Sequence, residues 1–130
     1  MNVLGMHHMN INVRDFDESM KFYNEVLGWA VTRSIDTNPD FFVTYLRIPG
    51  SGELELMDRK GKQHDTPPDD FSLGLTHFAV TVDDPVPFYE LMQKHGYTVD
   101  LPPTHINECR HYACIVRDPN GVMLEFITPY

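Results

Sequence analysis

The chain contains the same arrangement of residues twice, and this duplication constrains the fold more than any other feature. The first copy begins at His8, in the sequence HMNINVRD, and continues into a helical pattern that ends at Gly28. The second copy begins at His77, in the sequence HFAVTVDD, and its helical pattern ends at Gly96. The histidine precedes the glycine by 20 residues in the first copy and by 19 in the second. We therefore interpret the chain as two copies of a module of about 60 residues.

Each copy later reaches a glutamate in a short segment of alternating residues. Glu55 lies in the sequence ELELM, and Glu125 lies in the sequence VMLEFI. The glutamate follows the histidine by 47 residues in the first copy and by 48 in the second. A carboxylate within an apolar strand is costly to bury unless it is paired or coordinates a metal ion. Because the feature occurs at equivalent positions in both copies, an ordinary exposed strand glutamate is the weaker explanation.

Both modules show the same order of predicted elements: a strand, a helix and three strands. In the first module, apolar residues at 3.6-residue spacing predict a helix that Asp15 caps and Gly28 ends. The second module has its predicted helix at residues 85–95 and a hairpin turn at Asp118-Pro-Asn-Gly121. The two repeats, about residues 1–60 and 70–130, predict a single α+β domain of residues 1–130 with its helices on the outer face of the sheet. Alternation predicts strands over residues 6–13, 29–35, 41–48, 53–58, 75–82, 97–101, 111–117 and 122–127.

Strand alternation also predicts which side chains share a face of the sheet. His8, Asn10 and Asn12 lie on one face of the first strand, whereas His7 falls on the opposite side and is not expected to bind a ligand. The same alternation places each remaining candidate on one face of its strand together with two neighbours: Glu55 with Glu53 and Met57, His77 with Ala79 and Thr81, and Glu125 with Met123 and Ile127.

The composition excludes several classes of partner. The formal net charge of −9 disfavours binding to a nucleic acid backbone or to an anionic membrane surface. The longest apolar run, Tyr112–Val116, is far shorter than the roughly 20 residues of a membrane-spanning helix. The N-terminal residues show no secretory signal, and the only two cysteines are Cys109 and Cys114. We expect a cytoplasmic protein that binds neither nucleic acid nor membrane.

Four stretches resemble the vicinal oxygen chelate superfamily, which includes glyoxalase I, extradiol dioxygenases, and fosfomycin- and bleomycin-resistance proteins. The resemblance implies a cupped mixed sheet, built from two βαβββ modules, around a divalent metal ion. It also implies the metal ligands His8, Glu55, His77 and Glu125. Two imidazoles and two carboxylates suit nickel, zinc, cobalt or manganese. The matching stretches are His8–Trp29, Glu53–Asp58, Leu75–Asp84 and Arg117–Ile127.

The four-ligand set is similar to that of bacterial glyoxalase I and implies a metal-dependent lyase or isomerase. Proton transfer would then pass through a metal-bound enediolate on a small substrate with vicinal oxygens, with Glu125 as the favoured base and Glu55 as the second candidate. Glyoxalase I binds the glutathione carboxylates with arginine, asparagine and arginine at three further positions. This chain carries Asn12, Arg59 and Leu73 there, so the pattern argues against glutathione as the substrate handle.

The resemblance also implies a homodimer, in which the first pair of ligands from one chain faces the second pair from the other. We expect apolar residues of the hollow, such as Met57, Met123 and Ile127, to be exposed in a single chain, as at many interfaces.

Two other functions remain open at this stage. One is an extradiol-type iron dioxygenase, because His111 and Tyr112 precede a motif similar to the last motif of those enzymes. A fourth protein ligand at Glu55 counts against it, since oxygen activation needs open positions on the iron. The other is a metal-free protein that sequesters a ligand, as bleomycin-resistance proteins do.

Overall fold

The computed structural model describes all 130 residues, which divide into two compact units, Met1–Asp65 and Thr66–Tyr130. The first unit consists of β1 (His8–Asn12), α1 (Phe16–Met20) with a π-helical continuation (Lys21–Val26), β2 (Val31–Asn38), β3 (Phe41–Arg47) and β4 (Glu53–Asp58). The second unit consists of β5 (His77–Thr81), α2 (Val86–Lys94), β6 (Val99–Ile106), β7 (His111–Arg117) and β8 (Met123–Pro129).

Each unit has one four-stranded sheet, and the two sheets have the same topology. The strand order is β1-β4-β3-β2 in the first unit and β5-β8-β7-β6 in the second. The first and last strands of each unit pair in parallel, and the other pairs are antiparallel. The predicted α+β fold of two βαβββ modules is therefore confirmed. The assembly of both modules into a single domain stays a prediction.

The helix of each unit packs on one face of its own sheet. Phe16 of α1 meets Phe42 of β3 edge to face, with the ring centroids 4.9 Å apart. In the second unit, Phe88 of α2 stacks on Phe126 of β8 at 4.5 Å. Because neighbouring residues of a strand point to opposite faces, the face that carries Glu125 is the one that the helix leaves uncovered.

The first helix differs from the prediction in its second half. Asp15 caps the helix as predicted, since its side chain accepts a hydrogen bond from the Glu18 amide over 3.0 Å. Gly28 ends the helix with a φ of +74°, a conformation that glycine adopts without steric cost. Between them, however, residues 21–26 widen to a π-helix. The wider turn buries the adjacent residues Phe22 and Tyr23 together, which the 3.6-residue spacing does not predict.

Two of the eight strands have the boundaries that the sequence predicts. Strand β4 and strand β7 have the predicted bounds. Strand β2 begins at Val31 and not at Trp29, because the tryptophan is buried against Tyr23. The predicted turn forms at Asp118, which accepts the amide hydrogens of Asn120 and Val122. No helix has the length and apolar character that crossing a membrane requires.

Candidate active site

The first predicted pair of ligands forms on the parallel strands β1 and β4. Glu55 is the register partner of Asn10, so His8 lies diagonally across from it on the same face. The distance from His8 Nε2 to Glu55 Oε2 is 3.7 Å. Glu55 is buried, whereas the imidazole of His8 is 39% exposed. The pair thus combines a fixed carboxylate with an accessible imidazole.

The second pair repeats this geometry on β5 and β8. Glu125 is the register partner of Ala79, and His77 again lies diagonally across from the carboxylate. The distance from His77 Nε2 to Glu125 Oε2 is also 3.7 Å. The side chain of Glu125 is 14% exposed and that of His77 is 46% exposed. The duplication therefore extends from the sequence to the relative placement of individual atoms.

Each pair fits two ligands of one divalent metal ion. Nitrogen and oxygen ligands of zinc lie about 2.0–2.2 Å from the ion, so two of them are at most about 4.4 Å apart. The separation of 3.7 Å in both pairs is within that limit. Within neither unit do three or more histidine, cysteine or acidic side chains form a group suited to a metal ion. Each unit on its own therefore contains one such pair.

The carboxylate of Glu55 is held by two further side chains. Asn10 donates a hydrogen bond from Nδ2 to Oε1 over 2.7 Å, and the hydroxyl of Tyr45 donates one to Oε2. The hydrogen bond to Glu55 raises the pKa of Tyr45, and burial of the phenol raises it further. The guanidinium of Arg33 lies over the Tyr45 ring, with its carbon 4.0 Å from the ring centroid. Arg33, Tyr45, Glu55 and Asn10 thus form one row across the four strands.

Glu125 has no comparable support. Its register partners on β5 and β7 are Ala79 and Ile115, and no side chain donates a hydrogen bond to its carboxylate. A second titratable group lies on the neighbouring strand, where burial, together with the charge of Glu125, raises the pKa of the Cys114 thiol to about 11. The two glutamates thus occupy equivalent positions in different surroundings.

Two of the residues that depart from the glutathione-binding pattern are in contact. Arg59 follows β4 directly and donates a hydrogen bond from Nε to Oδ1 of Asn12 over 2.9 Å. Its guanidinium carbon lies 5.8 Å from the ring centroid of Phe41. Phe41 in turn packs against a buried cluster that includes Met57, which is the register partner of Asn12. The third departure, Leu73, is fully exposed in the segment before β5.

One expectation about neighbouring residues is corrected by the structure. Met57 and Met123 were expected to be exposed, but they are only 8% and 7% exposed. Met57 is buried because it packs against Val43 and Tyr45 on its own sheet. Tyr112, which precedes the dioxygenase-like motif, pairs with Thr128, so it lies on the opposite face of the sheet from Glu125.

The sequence predictions missed Tyr45, whose hydroxyl donates a hydrogen bond to Glu55. Its strand, FFVTYLR, is typical of a buried strand, and one of six tyrosines in such a strand is an ordinary core residue. The one indication in the sequence was its position in the strand, since only alternate side chains of β3 point to the face that carries Glu55. The register that places Tyr45 directly beside Glu55 comes from the hairpin between β3 and β4.

A comparison with models of protein families assigns the chain to a superfamily. The model of the Glyoxalase/Bleomycin resistance protein/Dioxygenase superfamily matches residues 5–126. The chain belongs to this superfamily. The resemblance that the sequence motifs carried is thereby confirmed.

Among curated proteins, a lactoylglutathione lyase from Haemophilus influenzae is 29% identical over 127 residues, which cover 92% of this chain and 89% of the relative. A probable chloroplastic lactoylglutathione lyase from Arabidopsis thaliana is 25% identical over 122 residues. The match covers 94% of this chain but only 35% of that relative, so the chain spans about a third of its length.

Solved structures show the same relationship. The trypanothione-dependent glyoxalase I of Leishmania major superposes with a TM-score of 0.75 at 30% identity, over 95% of this chain and 85% of that one. A glyoxalase family protein from Enterococcus faecalis superposes with a TM-score of 0.79 at 25% identity, over 95% and 97% of the two chains.

Proposed function

We propose that the chain is a divalent-metal-dependent lyase or isomerase of the glyoxalase I type, acting on a small substrate with vicinal oxygens. The observation that supports this function is the repeated histidine–glutamate pair, with the same 3.7 Å separation in both units. The relatives named lactoylglutathione lyase support the same class of reaction.

His8, Glu55, His77 and Glu125 would hold the metal, since two imidazoles and two carboxylates suit nickel, zinc, cobalt or manganese. When bound, such an ion polarises two adjacent substrate oxygens and stabilises the negative charge that develops on them. The side chains then have separate tasks. The histidines act only as ligands, and one of the two carboxylates also moves the proton.

Glu125 is the base that we favour. It takes a proton from the carbon next to the substrate carbonyl and returns it to the neighbouring carbon, so the net reaction is an isomerisation that needs no oxidant. A carboxylate that moves a proton has to change its position and partners during turnover. Glu125 accepts no hydrogen bond from a side chain, whereas both oxygens of Glu55 accept one. Glu55 is the second candidate.

Arg59 supports a substrate that carries an anionic group. Its guanidinium, oriented by Asn12, lies on the same face of the first sheet as Glu55 and four residues further along. At about 3.3 Å per residue, the Cα atoms of Arg59 and Glu55 are roughly 13 Å apart. A thiol adduct with a carboxylate on the thiol part matches such a spacing. Met57 lies between the two residues on β4 and belongs to an apolar cluster against which Phe41 also packs.

We further propose a homodimer in which His8 and Glu55 of one chain face His77 and Glu125 of the other. The segments before β1 and β5 expose large apolar residues, among them Met6 at 61% and Leu75 at 75%, which an interface would cover. The mass in solution should be twice the 15.0 kDa of one chain. We place this dimer in the cytoplasm, where both cysteines, which are free, stay reduced.

Complementation tests the shared site directly. His8→Ala and His77→Ala variants should each lose the bound metal. When the two are mixed, unfolded and refolded together, a dimer of one chain of each kind regains one intact site, and metal binding and activity return. If both pairs came from one chain, every site in the mixture would stay broken.

Metal analysis and isotope exchange test the reaction. Purified protein should contain nickel, cobalt, zinc or manganese, and in D2O it should transfer deuterium to the α-carbon of a hemithioacetal formed from methylglyoxal and a thiol. Bound iron with oxygen uptake on catechols would instead indicate a dioxygenase. Tight ligand binding without any metal would indicate a sequestering protein.

A further inference from the structure

Glu55 and Glu125 hold equivalent places in the two modules, yet only one of them is fixed by its neighbours. Both oxygens of the Glu55 carboxylate accept hydrogen bonds, Oε1 from Asn10 at 2.7 Å and Oε2 from Tyr45. These donors come from the two strands that flank β4, so the carboxylate is held from both sides. The difference between the modules therefore lies in the residues beside the glutamate and not in the glutamate itself.

We propose that Tyr45 and Asn10 are positioning residues, which keep Glu55 a permanent metal ligand and so leave proton transfer to Glu125. The inference rests on the proposed function, because it concerns the same site. Each oxygen of an ionised carboxylate has two acceptor sites, so Oε2 can accept the Tyr45 hydrogen bond and still bind a metal ion. A carboxylate tied at both oxygens cannot swing away from that ion.

Tyr45 is itself held in place. It is 8% exposed and packs against Val43 and Met57 on its own sheet. The Arg33 guanidinium covers its ring, and the imidazole of His8 meets the ring edge to face at 5.9 Å. The phenol thus contacts both ligands of the first pair, Glu55 by a hydrogen bond and His8 by its ring. A hydroxyl that is packed this tightly has little freedom to turn away from the carboxylate.

The second module lacks every part of this arrangement. The position that corresponds to Asn10 is Ala79, and the position that corresponds to Tyr45 is Ile115. Neither side chain can donate a hydrogen bond. Glu125 is also more exposed than Glu55, with 14% of its side chain accessible against 9%.

Metal affinity tests the inference without reference to activity. Tyr45→Phe removes one hydroxyl and keeps the ring, and Asn10→Ala removes the second donor. Residues that orient metal ligands typically contribute 10–100-fold to metal affinity, so each variant should bind Co²⁺ about 10–100-fold more weakly, measured by titration of its visible absorption. Tyr89→Phe, on α2, removes a hydroxyl remote from the site and should leave the affinity unchanged. Circular dichroism shows whether each variant is folded.

The reverse exchange gives the second module the same support. Ala79→Asn with Ile115→Tyr supplies two donors to Glu125, so Co²⁺ should stay bound while deuterium exchange at the substrate α-carbon falls at least tenfold. Co²⁺ affinities of Tyr45→Phe and Asn10→Ala equal to that of Tyr89→Phe would overturn the inference, as would full exchange in the double variant. A wild-type protein that binds Co²⁺ but exchanges no proton would overturn the proposed function instead.

Discussion

Arg59 donates a hydrogen bond from Nε to Oδ1 of Asn12 over 2.9 Å, although 47 residues separate the two along the chain. The contact forms because β1 and β4 run parallel, so that the ends of both strands meet at one edge of the sheet. In glyoxalase I the pattern has arginine at the position of Asn12 and asparagine at that of Arg59. The chain therefore keeps this pair of side chains and exchanges the strands that carry them.

Removing the guanidinium should weaken binding of anionic substrates. Hydrogen bonds to charged groups contribute about 1.5–3 kcal/mol, so Arg59→Met should raise KM for a carboxylate-bearing thiol adduct by about 10–100-fold. The KM for the corresponding neutral ester should not change. Lys94→Met, which removes an exposed positive charge on α2, is the control for net charge. An equal loss with acid and ester would show that Arg59 supports the sheet and not the substrate.

Exchanging the pair should restore the site. Asn12→Arg combined with Arg59→Asn moves the guanidinium to β1 and keeps its partner directly beside it. We expect this double variant to recover most of the affinity that Arg59→Met loses, measured as KM for the same acid. Each single variant should stay impaired, because it leaves two arginines or two asparagines in contact. If KM for the acid stays high in the double variant, the guanidinium can bind the substrate only from its position after β4.

The two glutamates should respond differently to loss of charge. Glu125→Gln should lower the turnover number by about 10²–10⁴-fold even at saturating metal, because general base catalysis is lost. Glu55→Gln should act mainly on metal affinity and recover most of its turnover when the metal concentration is raised. Glu108→Gln, at an exposed turn, is the matched control. The opposite pattern would exchange the roles of the two carboxylates.

Gly52 connects the fold to the site. A Cβ atom at this residue would lie 2.5 Å from the carbonyl oxygen of His7 and 2.8 Å from that of Met6. Gly52→Ala should therefore push the chain before β1 away from β4 and separate His8 from Glu55. We expect a loss of about 1–3 kcal/mol in the free energy of unfolding and weaker metal binding. Ser51→Ala changes the exposed neighbour and is the control. It should alter neither the free energy of unfolding, measured by urea denaturation, nor metal binding, measured by titration.

The pairing of each candidate histidine with its glutamate was predictable because the information is local and repeated. Strand parity placed His8 with Asn10 and Asn12, and a spacing of nearly equal length linked each histidine to a glutamate. The contacts around those ligands were not predictable in this way. Tyr45 reaches Glu55 only through the register of β3 on β4, and that register depends on the turn between them.

Other differences between the sequence predictions and the structure also arise from contacts that the linear sequence does not describe. Asn12 and Arg59 were interpreted as two separate departures from a pattern, because nothing in the linear sequence indicates that parallel pairing brings them together. The burial of Met57 depends on the size of its neighbours Val43 and Tyr45, which periodicity does not describe. The π-helical turn at Phe22 and Tyr23 departs from the 3.6-residue period on which the helix prediction depended.

The two cysteines should differ in reactivity. Cys109 is exposed in the turn between β6 and β7, whereas Cys114 is buried and its Sγ lies 3.6 Å from the carbonyl oxygen of Pro85. Only the thiolate is nucleophilic. Iodoacetamide at pH 8 should therefore alkylate one cysteine in the native protein and two in urea, and mass spectrometry of the peptides should place the native label on Cys109. Labelling of Cys114 under native conditions would contradict its burial.

The same thiol should make stability depend on pH in the alkaline range. Burial raises the pKa of Cys114 to about 11, whereas an unperturbed cysteine has a pKa of about 8.5. The unfolded chain releases this proton at lower pH than the folded chain does, so rising pH favours unfolding between these two values. The urea midpoint should fall from pH 8 to pH 10 in the wild-type protein and fall less in Cys114→Ala. An equal fall of the urea midpoint in both proteins would show that the thiol ionises as readily in the folded protein as in the unfolded chain.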